Sequence, residues 1–301
     1  MRVDVYLPLV LALLLAAVTP HVGRRISPAL AARALTTAAV LTSAASTWAL
    51  VLLGATLIDE DPSVASEARE GGRHLPEPVP DAIAIASLVL LGVIVYRVCR
   101  AVRSHQASRR ALRGLCDGHP PDSELIVAAS PIPRAFAIPG SPGSPGRILV
   151  TASMLSALGP AERRVLLAHE RAHLTHRHSV LSTAVGLAAA ANPLLVPVRS
   201  TVTFLLERWA DEDAAGVVGD RRVTAYALAR AALVSQRTRS RCALHFSEHA
   251  VARRIAALQT LPPPRLWPIA VAVLGLGAIP ALGAVDATGD LLHLLAGPLL
   301  G

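Results

Sequence analysis

The sequence contains no lysine; all 29 of its basic residues are arginine. Against 21 acidic residues they leave a net charge of +8. So complete a bias reflects a GC-rich genome more than a function. Charge of either sign is scarce: charged residues make up 17% of the chain, hydrophobic ones 52%, and mean hydropathy is +0.49. That balance excludes an ordinary soluble domain and points to a polytopic membrane protein. Aromatic residues are only 3% of the 301. Their scarcity, with many arginines flanking apolar segments, argues against a nucleic-acid partner. The cysteines, Cys99, Cys116 and Cys242, show no C-x-x-C pairing. Neither a zinc knuckle nor a disulfide framework is therefore indicated.

What is abundant is apolar sequence in long runs. Val5 to Pro20 predicts a first membrane helix. Asp4 so close to Arg2 leaves no basic leader region, which argues against a cleaved signal peptide. Further spans are predicted at about Ala34–Ile58, Ala82–Val98 and Trp267–Val285, the last broken by Pro280. Arg24, Arg25 and Arg33 lie between the first two spans, and Arg97, Arg100, Arg103, Arg109, Arg110 and Arg113 follow the third. Between the second and third lie Asp59, Glu60, Asp61, Glu67, Glu70 and Glu77. The positive-inside rule then places the N-terminus outside a cell (plasma) membrane, and the chain after Arg97 in the cytoplasm.

A polar domain is expected over 100–264, between an N-terminal transmembrane region (1–99) and a C-terminal helix and tail (265–301). It opens with short strands at Glu124–Ala129, Arg134–Ile138 and Arg147–Thr151, the last two joined by a Ser141–Gly146 turn. A helix begins at Gly159-Pro160, with Glu162 placed for the positive end of its dipole.

That helix carries His169-Glu170-Arg171-Ala172-His173. Histidines four apart on a helix lie one turn apart on one face, so both rings can grip one Zn²⁺. Glu170 sits beside them as a general base. A third protein ligand is needed, and the extended H-x-x-G-x-x-H ending is absent, since position 176 is His and 179 is Ser. The candidate is Glu207 in Glu207-Arg208-Trp209-Ala210-Asp211, where Asp211 could accept the free N–H of a ligating histidine. His176 and His178 read as bystanders, on a solvated helix face or in a membrane-edge cluster.

At these residues the chain resembles the membrane gluzincins: the HtpX-type and CAAX-prenyl-protease-type peptidases and the BlaR/MecR-type antirepressor peptidases. Three segments carry the resemblance: Ala168–His173, Glu207–Asp211, and Ala135-Phe136-Ala137-Ile138-Pro139-Gly140 followed by Ile148–Thr151. The resemblance implies a mainly α, polytopic membrane protein whose transmembrane helices surround a cytoplasmic-face α+β zincin-like (gluzincin) domain with a small sheet. It implies zinc held by His169, His173 and Glu207, with Glu170 catalytic and Asp211 supporting a ligand. It also implies a peptide strand docked along Ala135, Phe136 and Ala137. A weaker match, Ser247-Glu248-His249 before Arg253-Arg254-Ile255, would add His249 and Arg254 to the catalytic set. Here Ala250 and Val251 stand where relatives carry prolines.

The expected function is a zinc-dependent endopeptidase acting on protein substrates at the cytoplasmic membrane face, in regulatory signalling with a membrane partner or in membrane-protein quality control. A sensor domain of the β-lactam type is excluded, because without lysine there is no S-x-x-K motif. A signal would arrive through a partner or the acidic 59–81 loop. The rival is a non-catalytic membrane receptor or scaffold with a structural zinc. One tension stands out: Ser179–Val198 is long and apolar enough to span. A single crossing would put Glu207 opposite His169. Asn192-Pro193 and Pro197 favour a hairpin that returns.

Overall fold

In the computed structural model the described residues are 2–59, 80–120, 123–141, 143, 145–236, 244–261 and 264–296. The acidic 60–79 segment, Cys242 and part of the Ser141–Gly146 turn lie outside them. The elements are α1 (Arg2–Arg25), α2 (Pro28–Asp59), α3 (Asp81–Gly114), β1 (Leu125–Ala128), β2 (Ala135–Ile138), β3 (Arg147–Thr151), α4 (Ala152–Ala157), α5 (Pro160–Thr175), α6 (His178–Ala191), a 3₁₀ turn (Pro193–Leu195), α7 (Val196–Val218), α8 (Arg221–Gln236), α9 (Leu244–Leu258) and α10 (Trp267–Ala296).

Among the described residues two helices are long and apolar enough to cross a membrane: Pro28–Ala55, and α3 at Asp81–Gly114. The first alone measures about 42 Å at 1.5 Å per residue, more than the roughly 30 Å of a hydrocarbon core. The expected break at Pro280 is absent, and α10 runs through it to Ala296. α2 is the hub of the bundle, packed by α1, α3, α6, α7 and α10. Small residues let these helices approach closely. An ideal Cβ on Gly277 of α10 would lie 2.7 Å from Ala38 Cα and 2.9 Å from Ala38 O on α2. The core they enclose includes Leu15, Ile26, Leu35, Val185, Val198 and Val202.

The Ser179–Val198 segment does not run straight. α6 ends at Ala191, the chain turns through Asn192–Leu195, and α7 comes back. Several polar groups freed by that turn find partners on α2 and α3. Asn192 Oδ1 accepts from Leu194 N at 3.1 Å, and its Nδ2 donates to Ser46 Oγ on α2 at 3.2 Å. Arg97 of α3 donates to Ala190 O at 2.8 Å, and Ser43 to Ala188 O at 3.3 Å. A buried turn is stable only when its backbone is satisfied within the protein, and here α2 and α3 supply the partners.

The sheet has the order β1-β3-β2, with β1 parallel and β2 antiparallel to β3. All of β3 is buried. Its period-two alternation sends Ile148 and Val150 toward Leu166, Leu167 and Leu174 of α5. Leu149 faces the other way and joins Ile126, Ile138 and Phe136, with Leu112 and Cys116 at the end of α3. α3 thus extends from the bundle to brace the back of the sheet, and α5 lies on its front.

Candidate metal centre

α5 starts where Gly159 and Pro160 predict. Glu162 accepts the Gly159 N–H at 2.7 Å, half of a capping box. Two and a half turns later the helix presents His169 and His173 on one face, their Nε2 atoms 3.1 Å apart. α7 brings Glu207 to them: Oε2 is 3.7 Å from His169 Nε2, and Oε1 is 3.6 Å from His173 Nε2. Two ligands about 2.05 Å from a tetrahedral zinc are separated by about 3.3 Å. The three donor atoms converge at that spacing, and His169, His173 and Glu207 form a group able to hold a metal ion.

One turn beyond Glu207, Asp211 Oδ1 lies 3.0 Å from His169 Nδ1, the nitrogen facing away from the centre. Arg254 of α9 reaches in from the far side. Its Nη1 lies 2.8 Å from Glu207 Oε2, and its Nε and Nη2 each lie 2.7 Å from an oxygen of Asp211. Glu170, 9% exposed, lies near the Ala137 backbone of β2, which favours its charged form.

Burial and charge pull these groups apart. Burial alone would depress His169, but the Asp211 and Glu207 carboxylates outweigh it and push the ring up to about 10. Burial, reinforced by the His169 charge, pushes His173 down to about 4. Burial would raise Glu207, yet His169 and Arg254 hold it well below the usual carboxylate range. Asp211 is likewise held down by Arg254 and His169 against its burial. Glu170 is raised, chiefly by burial. A cation bound by His169 Nε2 must displace the proton that Glu207 otherwise favours there, while Asp211 keeps the Nδ1 proton.

A cavity of about 260 Å³ opens beside these groups. His169, Glu170, Glu207, Asp211 and Arg254 form part of its polar wall, and Met154, Val165, Leu166 and Leu228 part of its apolar one. Ala135 also lines it. Phe136 does not, because strand alternation turns its side chain to the back of the sheet. Thr151 N donates to Arg134 O, so the backbone groups of Ala135 and Ala137 turn toward the open edge of β2. His249 is exposed on α9, outside the residues that line the cavity.

Two histidines read from the sequence as bystanders are tied into the centre. His176 pairs with Asp213 and stacks on Trp209, ring centroids 4.4 Å apart. His178 is buried, with Nδ1 2.8 Å from His173 Nδ1. Arg33 of α2 covers Trp209 at 4.5 Å. A helix-periodic reading misses His178, because Arg177 takes a left-handed conformation (φ 50°) that breaks the helix between His173 and His178. On a continuous helix residues five apart would diverge by about 140°.

The sequence model of peptidase family M48 matches residues 103–262, which span the sheet, the donor triad and Arg254. The chain belongs to peptidase family M48. The match begins within the last part of α3 and leaves α1, α2 and α10 outside. A 64-residue stretch is 41% identical to a protein named protease HtpX homolog from Thermoplasma acidophilum. That stretch covers 21% of this chain and 20% of that relative's length. No solved structure matches the chain.

Proposed function

We propose that this M48 member is an integral-membrane, zinc-dependent endopeptidase that hydrolyses peptide bonds of protein substrates at the cytoplasmic membrane face. The convergence of His169, His173 and Glu207, with Glu170 alongside in an open cleft, carries this reading. Two imidazole nitrogens and a carboxylate oxygen are the donor set of catalytic zinc sites that keep a fourth position open. When bound there, zinc supplies a Lewis acid that polarises the scissile carbonyl and acidifies water. The chain's own residues do the rest. Glu170 takes a proton from the attacking water as its oxygen bonds to the carbonyl carbon. It returns that proton to the leaving nitrogen as the C–N bond breaks. Asp211 holds His169 by its Nδ1–H. The open edge of β2 at Ala135 offers backbone groups to an extended peptide.

The membrane setting is supported by α2 and α3 and by apolar side chains such as Val89, Leu90, Val93 and Val95, which face outward from α3. The cytoplasmic assignment follows the arginines. The Arg24–Arg25 end of α1 meets the chain before α10, where Ser27 N donates to Pro264 O, and Arg33 reaches Trp209 beside the centre. The 179–198 hairpin returns to that side. The arrangement of α1, α2 and α3 ahead of the metal centre and α10 after it favours a regulatory role like that of the antirepressor peptidases.

The test is metal content and casein cleavage by the purified full chain, compared with Glu170→Gln. Stoichiometric zinc in both proteins, with cleavage only by the unsubstituted one, is expected. Zinc without any Glu170-dependent cleavage would mean a structural site in a receptor or scaffold.

A further inference from the structure

His178 takes no part in the chemistry above, yet it is 3% exposed and sits directly behind a ligand. His173 offers Nε2 to the centre and turns Nδ1 toward His178 Nδ1 at 2.8 Å. A neutral imidazole has one N–H. With the Nε2 lone pair committed to a cation, the proton of His173 resides on Nδ1, aimed at His178. His178 must then accept at Nδ1 and keep its own proton on Nε2. That Nε2 is buried with no hydrogen-bond partner among the described residues. The ring is held in place by packing, with the Trp209 centroid 4.7 Å away.

Resting on the metal-centre reading, we propose that His178 is the positioning residue for His173, accepting its Nδ1–H and so fixing the tautomer and the plane of the ring. The two histidine ligands are then supported by different chemistry: His169 by the Asp211 carboxylate, His173 by a neutral imidazole. A buried N–H without a partner is costly and rare. The acceptor at Nδ1 explains why a histidine occupies the position, because an apolar side chain of similar shape would avoid the orphan but leave His173 unsupported. The left-handed Arg177 turns His178 back onto His173.

The test uses the full chain in detergent, stripped of metal and titrated with Zn²⁺ against a chelator of known affinity, with Co²⁺ as a spectroscopic probe. His178→Asn places an amide oxygen where Nδ1 stands, and His178→Leu removes the acceptor. The leucine variant is expected to lose about 10–100-fold in Zn²⁺ affinity and to shift the Co²⁺ visible spectrum, with the asparagine variant within about three-fold and its spectrum unchanged. His178→Met replaces leucine if that variant fails to fold. Equal affinity in leucine and unsubstituted proteins overturns the inference, as do equal losses in leucine and asparagine. If the unsubstituted chain takes up no metal, the metal-centre reading itself falls, and the inference with it.

Discussion

Arg254 forks onto Asp211, its Nε and Nη2 each 2.7 Å from a carboxylate oxygen, across 43 residues of sequence. The same guanidinium touches Glu207 through Nη1. One cation from α9 thus clamps the two acids that α7 presents at positions four apart. Breaking a buried pair by removing one partner costs about 3–5 kcal/mol, because the remaining charge is left uncompensated. Arg254→Met should therefore lower the melting temperature of the metal-free protein. Saturating Zn²⁺ should restore part of the loss, because the metal supplies positive charge to the same carboxylates. Thermal unfolding with and without Zn²⁺ measures this, and an unchanged metal-free melting temperature would refute the clamp.

Glu207 and Asp211 should fail differently. Glu207→Ala removes a donor atom, so stoichiometric Zn²⁺ is expected to be lost on desalting. Asp211→Asn keeps all three donors and weakens only the support of His169, a loss of about 10–100-fold in affinity. Equilibrium dialysis separates the two. Identical behaviour would mean that the assignment of ligand and supporting residue is wrong.

Arg177 is the only described residue other than glycine with positive φ. The left-handed conformation costs an L-residue roughly 1–2 kcal/mol. Arg177→Gly should leave zinc affinity intact and stability level or slightly higher. Arg177→Val, β-branched, should lower both, because the chain must leave that conformation and carry His178 with it. Chelator titration and thermal melts of the two variants check the contrast. Equal zinc affinity in both would detach the turn from the metal centre.

Gly277 and Gly275 give a matched pair on α10. A Cβ at 277 meets Ala38 backbone atoms, whereas at 275 it meets nothing within 4 Å. Gly277→Val should force α10 away from α2 and destabilise the protein by about 1–3 kcal/mol. Gly275→Ala should be neutral or stabilising by up to about 1 kcal/mol, from helix propensity. Comparable melting temperatures for the two variants would contradict the close crossing.

Local patterns made much of this protein legible. The spacing of His169 and His173 on one helix, the Gly159-Pro160 start, the three strands and the apolar runs of α2 and α3 all follow from periodicity within a few turns of chain. So does the relation of Glu207 to Asp211. Other features were hidden because they depend on contacts between distant segments. The sequence suggested Arg254 only through a weak match, and its contacts with Asp211 and Glu207 exist only because α9 packs beside α7. His178 looked like one more residue of a histidine-rich stretch, because helical periodicity points it away from His173.

By itself the sequence determined which groups could bind a cation, which helix would present them and, in α2 and α3, two segments apolar enough to cross a membrane. Those properties are set by side-chain chemistry and by repeats of 3.6 and 2 residues. Only the tertiary structure decided that α6 and α7 form a hairpin, with Asn192 anchored to Ser46 and Arg97 closing the end of α6. The sequence allowed both a single crossing and a return. The return prevails in the fold because α2 and α3 satisfy the backbone at the turn. That reversal brings Glu207 back to His169 and His173, and three scattered donors become one site.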